Sequence, residues 1–312
     1  MSLPPIAVTL GDPAGIGPEV AIKALPEVVG ICRPILFGNL AVVRQACQTL
    51  RLPLPLAQIE EIDTGELEVV PGKVSAACGR ASFGYVEAAI RQTMQGHAAA
   101  LVTGPIQKEA WHAAGITFPG HTELLADRCQ VPAVRMMLCS DAISCVLVTV
   151  HVGYRDVPDL LTIENVTESI RMADRAWCQM HRQRPRITVC GLNPHAGEHG
   201  LFGNQEEERV IAPAVEIAAS AGIDVKGPLP ADTAFTAARR RKTDVYVCMY
   251  HDQGLIPLKT LAFDDAVNVT LGLPIVRTSV DHGTAMEIAG QGIASHNSMV
   301  AAIRMAVELS AQ

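Results

Sequence analysis

One stretch of the chain, Asp244 to Lys259, joins a short apolar segment to residues that could do chemistry. Val245 to Tyr250 is rich in β-branched and aromatic residues, which predicts a buried strand. His251 follows directly, and Lys259 comes after Pro257, at which we expect the backbone to break. A histidine at a strand end can bind a metal or transfer a proton, and a nearby lysine can hold an anion or accept a proton. The alternative is a core histidine that bonds a main-chain carbonyl.

Two further histidines occupy the same kind of position. His151 ends the strand predicted at Ile143 to Val150, and His195 lies just past the strand predicted at Arg186 to Gly191. If these strands and the one before His251 share a parallel sheet, the three imidazoles face one rim. Three converging imidazoles with room for water or substrate suit an open divalent-metal site, and they would accept zinc, cobalt, nickel or iron. Three unrelated histidines are the alternative.

The elements that must position these residues alternate between strands and helices, which predicts an α/β fold with a mainly parallel sheet. Gly11 to Glu19 is a glycine-rich turn between a predicted strand, Ile6 to Leu10, and a predicted helix, Val20 to Leu25. Its glycine spacing differs from Gly-x-Gly-x-x-Gly, and it lacks the Gly-Lys-Ser/Thr of a phosphate-binding loop. Spacing alone therefore favours a tight strand-to-helix turn. One edge strand is expected near Glu66 to Val70.

Several polar residues could bind an anion. A helix is predicted to start after the Pro-Gly turn at Gly120, where Thr122 could cap it and His121 could offer a donor to an anion. An ordinary cap with a solvent-facing histidine is the alternative. Asn268 and Arg277 are predicted at strand ends, and the guanidinium group of an arginine can bind a carboxylate or phosphate through two parallel hydrogen bonds.

Length and composition limit the class of protein. The chain has 312 residues, of which 49% are apolar and 18% charged, which allows two domains or one large one. Its net charge is −7 and its one basic run is Arg239 to Lys242, so we expect no nucleic-acid partner. No apolar run is long enough for a membrane span, and no signal peptide is expected. Nine scattered cysteines predict reduced thiols and a cytoplasmic location.

Several segments together resemble the 4-hydroxythreonine-4-phosphate dehydrogenase family of pyridoxal phosphate biosynthesis, and the likeness runs over nearly the whole chain. The glycine-rich turn and the segment Arg277–Ala285 are also similar, more distantly, to elements of isocitrate and isopropylmalate dehydrogenases. That second likeness favours a functional role for the glycine-rich turn, in place of the ordinary strand-to-helix turn that its spacing alone favours. The segments are Gly11–Glu19, Thr103–Lys108, Gly120–Glu123, Asn193–Glu198, Pro230–Thr233, Tyr250–Gly254, Val267–Pro274 and Arg277–Ala285.

The resemblance implies two α/β/α domains of the isocitrate/isopropylmalate dehydrogenase type, with the active site in a cleft between them. Residues 1–132 and 272–312 would form the first domain, with a cofactor loop in its C-terminal part. Residues 133–271 would form the second, which would carry the metal histidines and the dimer contacts. A homodimer with shared active sites is implied.

The resemblance also implies roles for individual residues. The cofactors would be NAD and one divalent metal ion per site, with zinc, cobalt or magnesium as candidates. Glu287 stands where the family usually has aspartate, and Gln107 stands where it has asparagine or histidine. The metal ligands would be His151, His195 and His251; the substrate contacts His121, Thr122, Lys259, Asn268 and Arg277; and the NAD contacts His282, Gly283, Thr284, Glu287 and Gly290.

The implied reaction is the metal-dependent, NAD-linked oxidation of the C3 hydroxyl of 4-hydroxythreonine 4-phosphate. The metal would act as a Lewis acid, Lys259 as the candidate base, and the 3-keto acid would lose carbon dioxide to give 3-amino-2-oxopropyl phosphate. Related substrates, namely erythronate or threonate 4-phosphate or a dihydrodiol, stay open. So do a metal-dependent hydrolase and a non-catalytic binding protein. No Arg or Lys lies between Thr278 and Ser295, which favours NAD over NADP.

Overall fold

A computed structural model describes residues 3–55, 57–262 and 266–311. None of the helices in these ranges is long and apolar enough to cross a membrane. The strands in these ranges are β1 Pro5–Thr9, β2 Arg33–Gly38, β3 Gln58–Glu61, β4 Ala100–Thr103, β5 Arg135–Cys139, β6 Ser144–Leu147, β7 Ile187–Cys190, β8 Val225–Leu229, β9 Val245–Cys248, β10 Val267–Leu271 and β11 Val276–Val280.

The α-helices of the same ranges vary from single turns to more than four turns. A π-helical turn, Glu207–Ile211, leads into the eighth of them, and short 3₁₀ turns occur at Tyr154–Asp156, Pro194–Gly197 and Met286–Ile288. The helices are α1 Gly17–Val28, α2 Leu40–Leu50, α3 Ala76–Met94, α4 Lys108–Ala113, α5 His121–Arg128, α6 Val157–Leu160, α7 Ile163–His181, α8 Ala212–Ser220, α9 Ala231–Ala234, α10 Ala237–Arg240, α11 His251–Leu261 and α12 Asn297–Ser310.

The chain forms two compact units. Unit 1 comprises Met1–Val134 and Leu273–Gln312, and unit 2 comprises Arg135–Gly272. In unit 1 the strand order is β3-β2-β1-β4-β11, and all neighbours in it are parallel. Its central strands are apolar and buried, as expected for a parallel sheet covered by helices. Helix α12 packs on β11 and β4 and also contacts α1, so the C-terminal segment is part of this unit.

In unit 2 the strand order is β10-β5-β6-β9-β7-β8. The four strands from β6 to β8 are parallel, as the alternating pattern predicted. Strand β5 pairs antiparallel with both β10 and β6, and with β6 it forms a hairpin joined by a short connection at Ser140 to Ile143. A buried cluster that includes Leu147, Tyr246 and Cys248 lies between this sheet and α11.

Two local predictions were wrong. The edge strand lies at β3, not at Glu66 to Val70, because Gln58–Glu61 pairs with β2. Pro257 does not break the chain but lies inside α11. A proline in a helix interior costs about 3 kcal/mol. Burial of Leu255 and Leu258 against the unit 2 core offsets that cost.

Two glycines of α3 test how closely this helix must approach its neighbours. A Cβ on Gly79 would lie 2.0 Å from the Ala110 carbonyl oxygen of α4, whereas a Cβ on Gly84 would meet nothing closer than 3.5 Å. We expect Gly79→Ala to lower the free energy of unfolding by more than about 1 kcal/mol, through displacement of α4. Gly84→Ala should raise it by about 0.5–1 kcal/mol, through helix propensity. Urea denaturation of both variants measures this, and equal effects of the two would contradict the close packing.

Candidate active site

The three strand-end histidines belong to neighbouring parallel strands of unit 2. Strand β9 lies between β6 and β7 and is parallel to both. His151, His251 and His195 follow these three strands in turn. The premise drawn from the sequence, that three parallel strands end at one edge, is therefore confirmed.

Two of the imidazoles lie side by side. The ring centroids of His151 and His251 are 5.6 Å apart. His251 is the first residue of α11, and its Nδ1 lies 2.7 Å from Asp252 Oδ1. The Tyr154 hydroxyl donates to the other oxygen of that carboxylate at 2.5 Å. These two bonds, that from Tyr154 first, hold the pKa of Asp252 below its usual range. The carboxylate thus fixes the orientation of the His251 ring.

His195 is more exposed than these two. Its side chain is 63% exposed, and its Nδ1 lies 2.9 Å from Glu198 Oε2. The hydrogen bond that the His195 ring donates to the Glu198 carboxylate raises the pKa of His195 above its usual range. Within the described ranges of this single chain, no group of three or more His, Cys, Asp or Glu side chains is arranged to hold a metal ion. The metal role of the histidine trio therefore stays a prediction.

The loop that carries His195 has an unusual backbone. Left-handed conformations are costly for residues other than glycine, and they persist only where surrounding contacts hold them. The loop therefore requires specific support. The residues of this loop with positive φ are His195, Ala196, Gly197, Glu198, His199, Gly200, Gly203 and Gln205.

A buried carboxylate, that of Glu207, supplies that support. Its Oε1 accepts hydrogen bonds from the backbone N–H groups of Leu192 at 2.8 Å and Asn193 at 2.7 Å. Its Oε2 accepts from Asn193 Nδ2 at 3.0 Å. A Cβ on Gly197 would lie 2.7 Å from the same Oε2, so only glycine lets the loop approach this closely.

Gln253 links the ends of two of the histidine-bearing strands. Its side-chain oxygen accepts from the Met249 N–H, and its amide donates to the Gly191 carbonyl, both at 2.7 Å. Met249 follows β9 and Gly191 follows β7. The side chain is buried, so both of its bonds are shielded from water. Nothing in the sequence pattern marks Glu207 or Gln253 for these tasks, because each depends on contacts between distant segments.

Lys259 and Asn268 also belong to unit 2. Lys259 lies in the last turn of α11 and is partly buried. Asn268 is the second residue of β10, opposite Leu138 of β5, and not at the strand end that the sequence predicted. Its Oδ1 is buried without a hydrogen-bond partner among the described residues, so it has a free acceptor.

A second set of polar residues lies in unit 1. Arg277 is the second residue of β11 and not at its end, which corrects the sequence prediction. Its side chain is buried, and Nη2 donates to Thr103 Oγ1 at 2.6 Å. Burial lowers the pKa of Arg277 to about 10, so the guanidinium is charged at neutral pH. We call Thr103, Lys108, His121 and Arg277 the cationic cluster.

Among the ionisable side chains of this cluster, His121 is the one that is uncharged. It begins α5 after Gly120, and its ring contacts Trp111 with centroids 5.8 Å apart. Burial first, and then the charges of Arg277 and Lys108, hold its pKa well below the usual range. Its Nε2 is buried without a hydrogen-bond partner among the described residues. Gly120, and not Thr122, occupies the N-cap position, so the predicted Thr122 cap was wrong.

The loop between β11 and α12, residues 281–296, contains the predicted NAD contacts; we call it the C-terminal loop. The Thr284 carbonyl accepts from the Ile16 N–H at 2.9 Å, and a Cβ on Gly15 would lie 2.9 Å from Thr284. The glycine-rich turn therefore packs directly on this loop. His282 Nε2 is buried without a partner among the described residues, and Glu287 is exposed in a 3₁₀ turn. Gly283 is exposed, and Gly290 has a φ of +75° beside Pro71.

Asp12 is an ionisable group of the glycine-rich turn that the sequence did not single out. Its side chain is fully buried, and its Oδ1 accepts from the Ala14 N–H at 2.9 Å. Its Oδ2 has no hydrogen-bond partner among the described residues. Burial raises the pKa of Asp12 to about 6. Because the charged form is disfavoured in the folded state, ionisation of Asp12 costs stability as the pH rises through this value.

The chain was compared with known proteins. The family model described as pyridoxal phosphate biosynthetic protein PdxA matches residues 30–306. The chain belongs to this family. A 4-hydroxythreonine-4-phosphate dehydrogenase from Geobacter metallireducens is 47% identical, over 98% of this chain and 96% of that protein. A D-threonate 4-phosphate dehydrogenase from Cupriavidus necator is 44% identical, over 99% of this chain and 98% of that protein.

Solved structures agree with this membership. The crystal structure of a 4-hydroxythreonine-4-phosphate dehydrogenase from Burkholderia phymatum is 41% identical, and the match covers 99% of both chains with a TM-score of 0.82. The predicted α/β fold and the predicted family are confirmed. So is the enzyme class: the chain is an oxidoreductase of pyridoxal phosphate biosynthesis.

The carboxylate of Glu207 generates a stability prediction. Glu207→Gln replaces one acceptor oxygen by an N–H donor, which would then face either the backbone N–H groups of Leu192 and Asn193 or the side-chain amide of Asn193. We expect it to lower the free energy of unfolding by about 1–3 kcal/mol. Glu208→Gln is the matched control, since its side chain is exposed. Urea denaturation checks both, and equal stability of the two variants would show that Glu207 does not support the loop.

Proposed function

We propose that this protein is a metal-dependent NAD oxidoreductase that oxidises the C3 hydroxyl of 4-hydroxythreonine 4-phosphate. The product would be a 3-keto acid that decarboxylates to 3-amino-2-oxopropyl phosphate. The relative from G. metallireducens, with 47% identity, carries that substrate in its name. The single structural observation that supports the proposal best is the cationic cluster of unit 1.

This cluster suits a doubly anionic substrate. A buried, charged Arg277 can bind phosphate or carboxylate oxygens through charge-assisted bonds. The neutral imidazole of His121 can donate one further hydrogen bond from its buried Nε2. Lys108 adds a second positive charge. We propose that these residues, with Thr122 beside them and Asn268 and Lys259 from unit 2, bind the substrate.

The histidines of unit 2 suit a divalent metal. A metal-binding histidine usually donates its other ring N–H to a carboxylate, which fixes the ring and leaves the second nitrogen for the metal. His251 and His195 both have Nδ1 against a carboxylate, from Asp252 and Glu198 respectively. Their Nε2 atoms are thereby prepared as ligands. We propose that both hold one divalent cation together with His151, and that this cation supplies Lewis acidity when bound.

The proposed chemistry balances as a two-electron oxidation. NAD⁺, held by the C-terminal loop, would accept the C3 hydrogen with both bonding electrons, and Lys259 would take up the hydroxyl proton as the base. The bond between C1 and C2 then breaks, carbon dioxide leaves, and C2 takes up one proton. Binding of the two anionic groups by the cationic cluster would hold C3 in one orientation throughout.

We propose NAD as the cofactor, held by the C-terminal loop through His282, Gly283, Thr284, Glu287 and Gly290. The buried and unpartnered Nε2 of His282 offers a polar atom to a ligand. No Arg or Lys occurs between Thr278 and Ser295, so a 2′-phosphate would find no local cation there. The exposed carboxylate of Glu287 would also repel that phosphate.

We propose a homodimer whose subunits share active sites. Three large apolar side chains of unit 2 support this, because they are solvent-exposed close in sequence to the three histidines. Tyr154 is 66% exposed, Leu201 70% and Ile256 65%. Contiguous exposed apolar surface commonly marks a protein interface, and we propose that these side chains belong to such a surface. Sedimentation equilibrium should give twice the chain mass, and a monomer at micromolar concentration would contradict the proposal.

We also propose a cytoplasmic location. All nine cysteines lie in the described ranges, all are free thiols, and only Cys178 is not fully buried. Free thiols used as core residues suit a reducing compartment. Fractionation of the native host, with detection of the protein in the periplasmic fraction alone, would contradict this.

A second candidate substrate is D-threonate 4-phosphate, in which a hydroxyl replaces the amino group. The relative from C. necator that is 44% identical carries this substrate in its name. Both compounds present a phosphate and a carboxylate, so the cationic cluster does not distinguish them.

A substrate panel tests the function. The purified protein is mixed with NAD⁺ or NADP⁺, a divalent metal, and each phosphorylated acid in turn, and the absorbance of reduced nicotinamide is followed. We expect the highest kcat/KM with 4-hydroxythreonine 4-phosphate and NAD⁺, and loss of turnover after dialysis against a chelator. A higher value with D-threonate 4-phosphate would select the second candidate. Equal values with NAD⁺ and NADP⁺ would refute the cofactor assignment.

Arg277 tests the role of the cationic cluster. Arg277→Met should lower kcat/KM for the phosphorylated acid by about ten- to a hundred-fold, because a charge-assisted bond to the substrate is lost. The affinity for NAD⁺, measured separately by calorimetry, should barely change. Arg304→Met in α12 is the control, since Arg304 is exposed. A purely structural Arg277 would instead lower the melting temperature and leave the KM for the acid unchanged.

A further inference from the structure

Glu19, at the end of the glycine-rich turn, bonds the far end of the C-terminal loop. Its carboxylate is buried in α1. Oε1 accepts from the Ala294 N–H at 2.8 Å, and Oε2 accepts from the Gly292 N–H at 3.2 Å. One side chain therefore satisfies two backbone donors of a segment more than 270 residues away in sequence.

Lys23, one turn further along α1, completes the arrangement. Its Nζ donates to Glu19 Oε1 at 2.7 Å, to the Gly292 carbonyl at 2.8 Å and to the Ala294 carbonyl at 3.0 Å. An ammonium group has three N–H donors, and all three are used. Glu19 and Lys23 thus bind both the N–H and the C=O groups of the same two loop residues.

Apolar packing alone does not fix this end of the loop. A cavity of about 50 Å³ lies beside Gly290, with Gly15, Pro71 and Leu50 among its lining residues. Ile293, between the two bonded residues, is 65% exposed, so its side chain contributes little packing. Ala294 is buried, but Ile293 is exposed and a cavity lies alongside, so we infer that the polar contacts of Glu19 and Lys23 are a principal restraint on residues 292 to 294.

We propose that Glu19 and Lys23 are positioning residues that set the affinity for the nicotinamide cofactor by holding the C-terminal loop in its binding conformation. This inference rests on the proposed cofactor role of that loop. It also gives the glycine-rich turn a task that its spacing did not indicate. Gly15 and Ile16 hold the loop at Thr284, and Glu19 and Lys23 hold it at Gly292 and Ala294.

Glu19→Gln is the test variant. Glutamine has the same shape, but its amide nitrogen would face a donor, either the Gly292 N–H or the Lys23 ammonium. We expect the Kd for NAD⁺, measured by calorimetry without the acid substrate, to rise about tenfold. The KM for NAD⁺ should rise equally, while the KM for the phosphorylated acid stays within twofold. Amide hydrogen exchange should speed up at Gly292 and Ala294.

Glu168→Gln is the matched control. Glu168 also accepts from a cation on its own helix, Arg175 at 2.7 Å, but it lies in unit 2, whereas the C-terminal loop belongs to unit 1. It should leave the Kd for NAD⁺ and the exchange at Gly292 unchanged. If Glu19→Gln does not fold, Lys23→Gln alters the bonds to the carbonyls of the same two loop residues from the less buried partner, and the Kd for NAD⁺ should also rise.

The outcomes separate this inference from the proposed function. A wild-type protein that binds no NAD⁺ would refute the proposed cofactor. A wild-type protein that binds NAD⁺, beside a Glu19→Gln variant with faster loop exchange and an unchanged Kd, would refute the positioning role alone. A fall in melting temperature with no change in the Kd would likewise reduce Glu19 to a structural residue.

Discussion

The candidate sites depend on one constraint: irregular backbone must still have its buried N–H and C=O groups bonded. In the His195 loop and the C-terminal loop, side chains provide part of this bonding. A buried glutamate does it in each case, Glu207 for Leu192 and Asn193, and Glu19 for Gly292 and Ala294. The carboxylates of these two glutamates thus hold the segments that carry the proposed metal and cofactor residues.

The two glutamates are stabilised in different ways. Glu207 accepts bonds from neutral backbone and amide groups. Glu19 also has an ammonium partner, Lys23, which bonds the loop itself. Removing one partner of a buried ion pair leaves an uncompensated charge, which costs far more than an exposed pair contributes. The C-terminal loop is therefore sensitive to a change in either residue.

The charges are also divided between the units in a way that fits the proposed chemistry. Unit 1 has a buried cation, Arg277, beside an imidazole that the same burial keeps neutral. Unit 2 has imidazoles whose Nδ1 atoms contact carboxylates, at His251 and at His195. The first arrangement suits an anion and the second a cation. Histidine can take part in both arrangements because its role depends on the groups that surround the ring.

The sequence by itself determined the α/β class, the strand ends and the chemically active residue types. Apolar runs predicted β6, β7 and β9, and the histidines that follow them were visible as a pattern. These signals are local, because a buried strand and the helix that follows it each show a characteristic hydrophobic pattern within a few residues. Recognition of the family also came from short segments, whose order along the chain is specific.

The tertiary structure alone decided which distant residues support those segments. Glu207 among three consecutive glutamates, Gln253 beside His251, and Glu19 at the end of a glycine-rich turn have no local feature that marks their bonds. The same holds for Pro257, which stays inside α11 because Leu255 and Leu258 are buried. It holds also for the lowered pKa of His121, which is caused first by burial and then by the charge of Arg277 from a strand more than 150 positions away. Each of these depends on long-range contact and burial, and neither is encoded in the residues next along the chain.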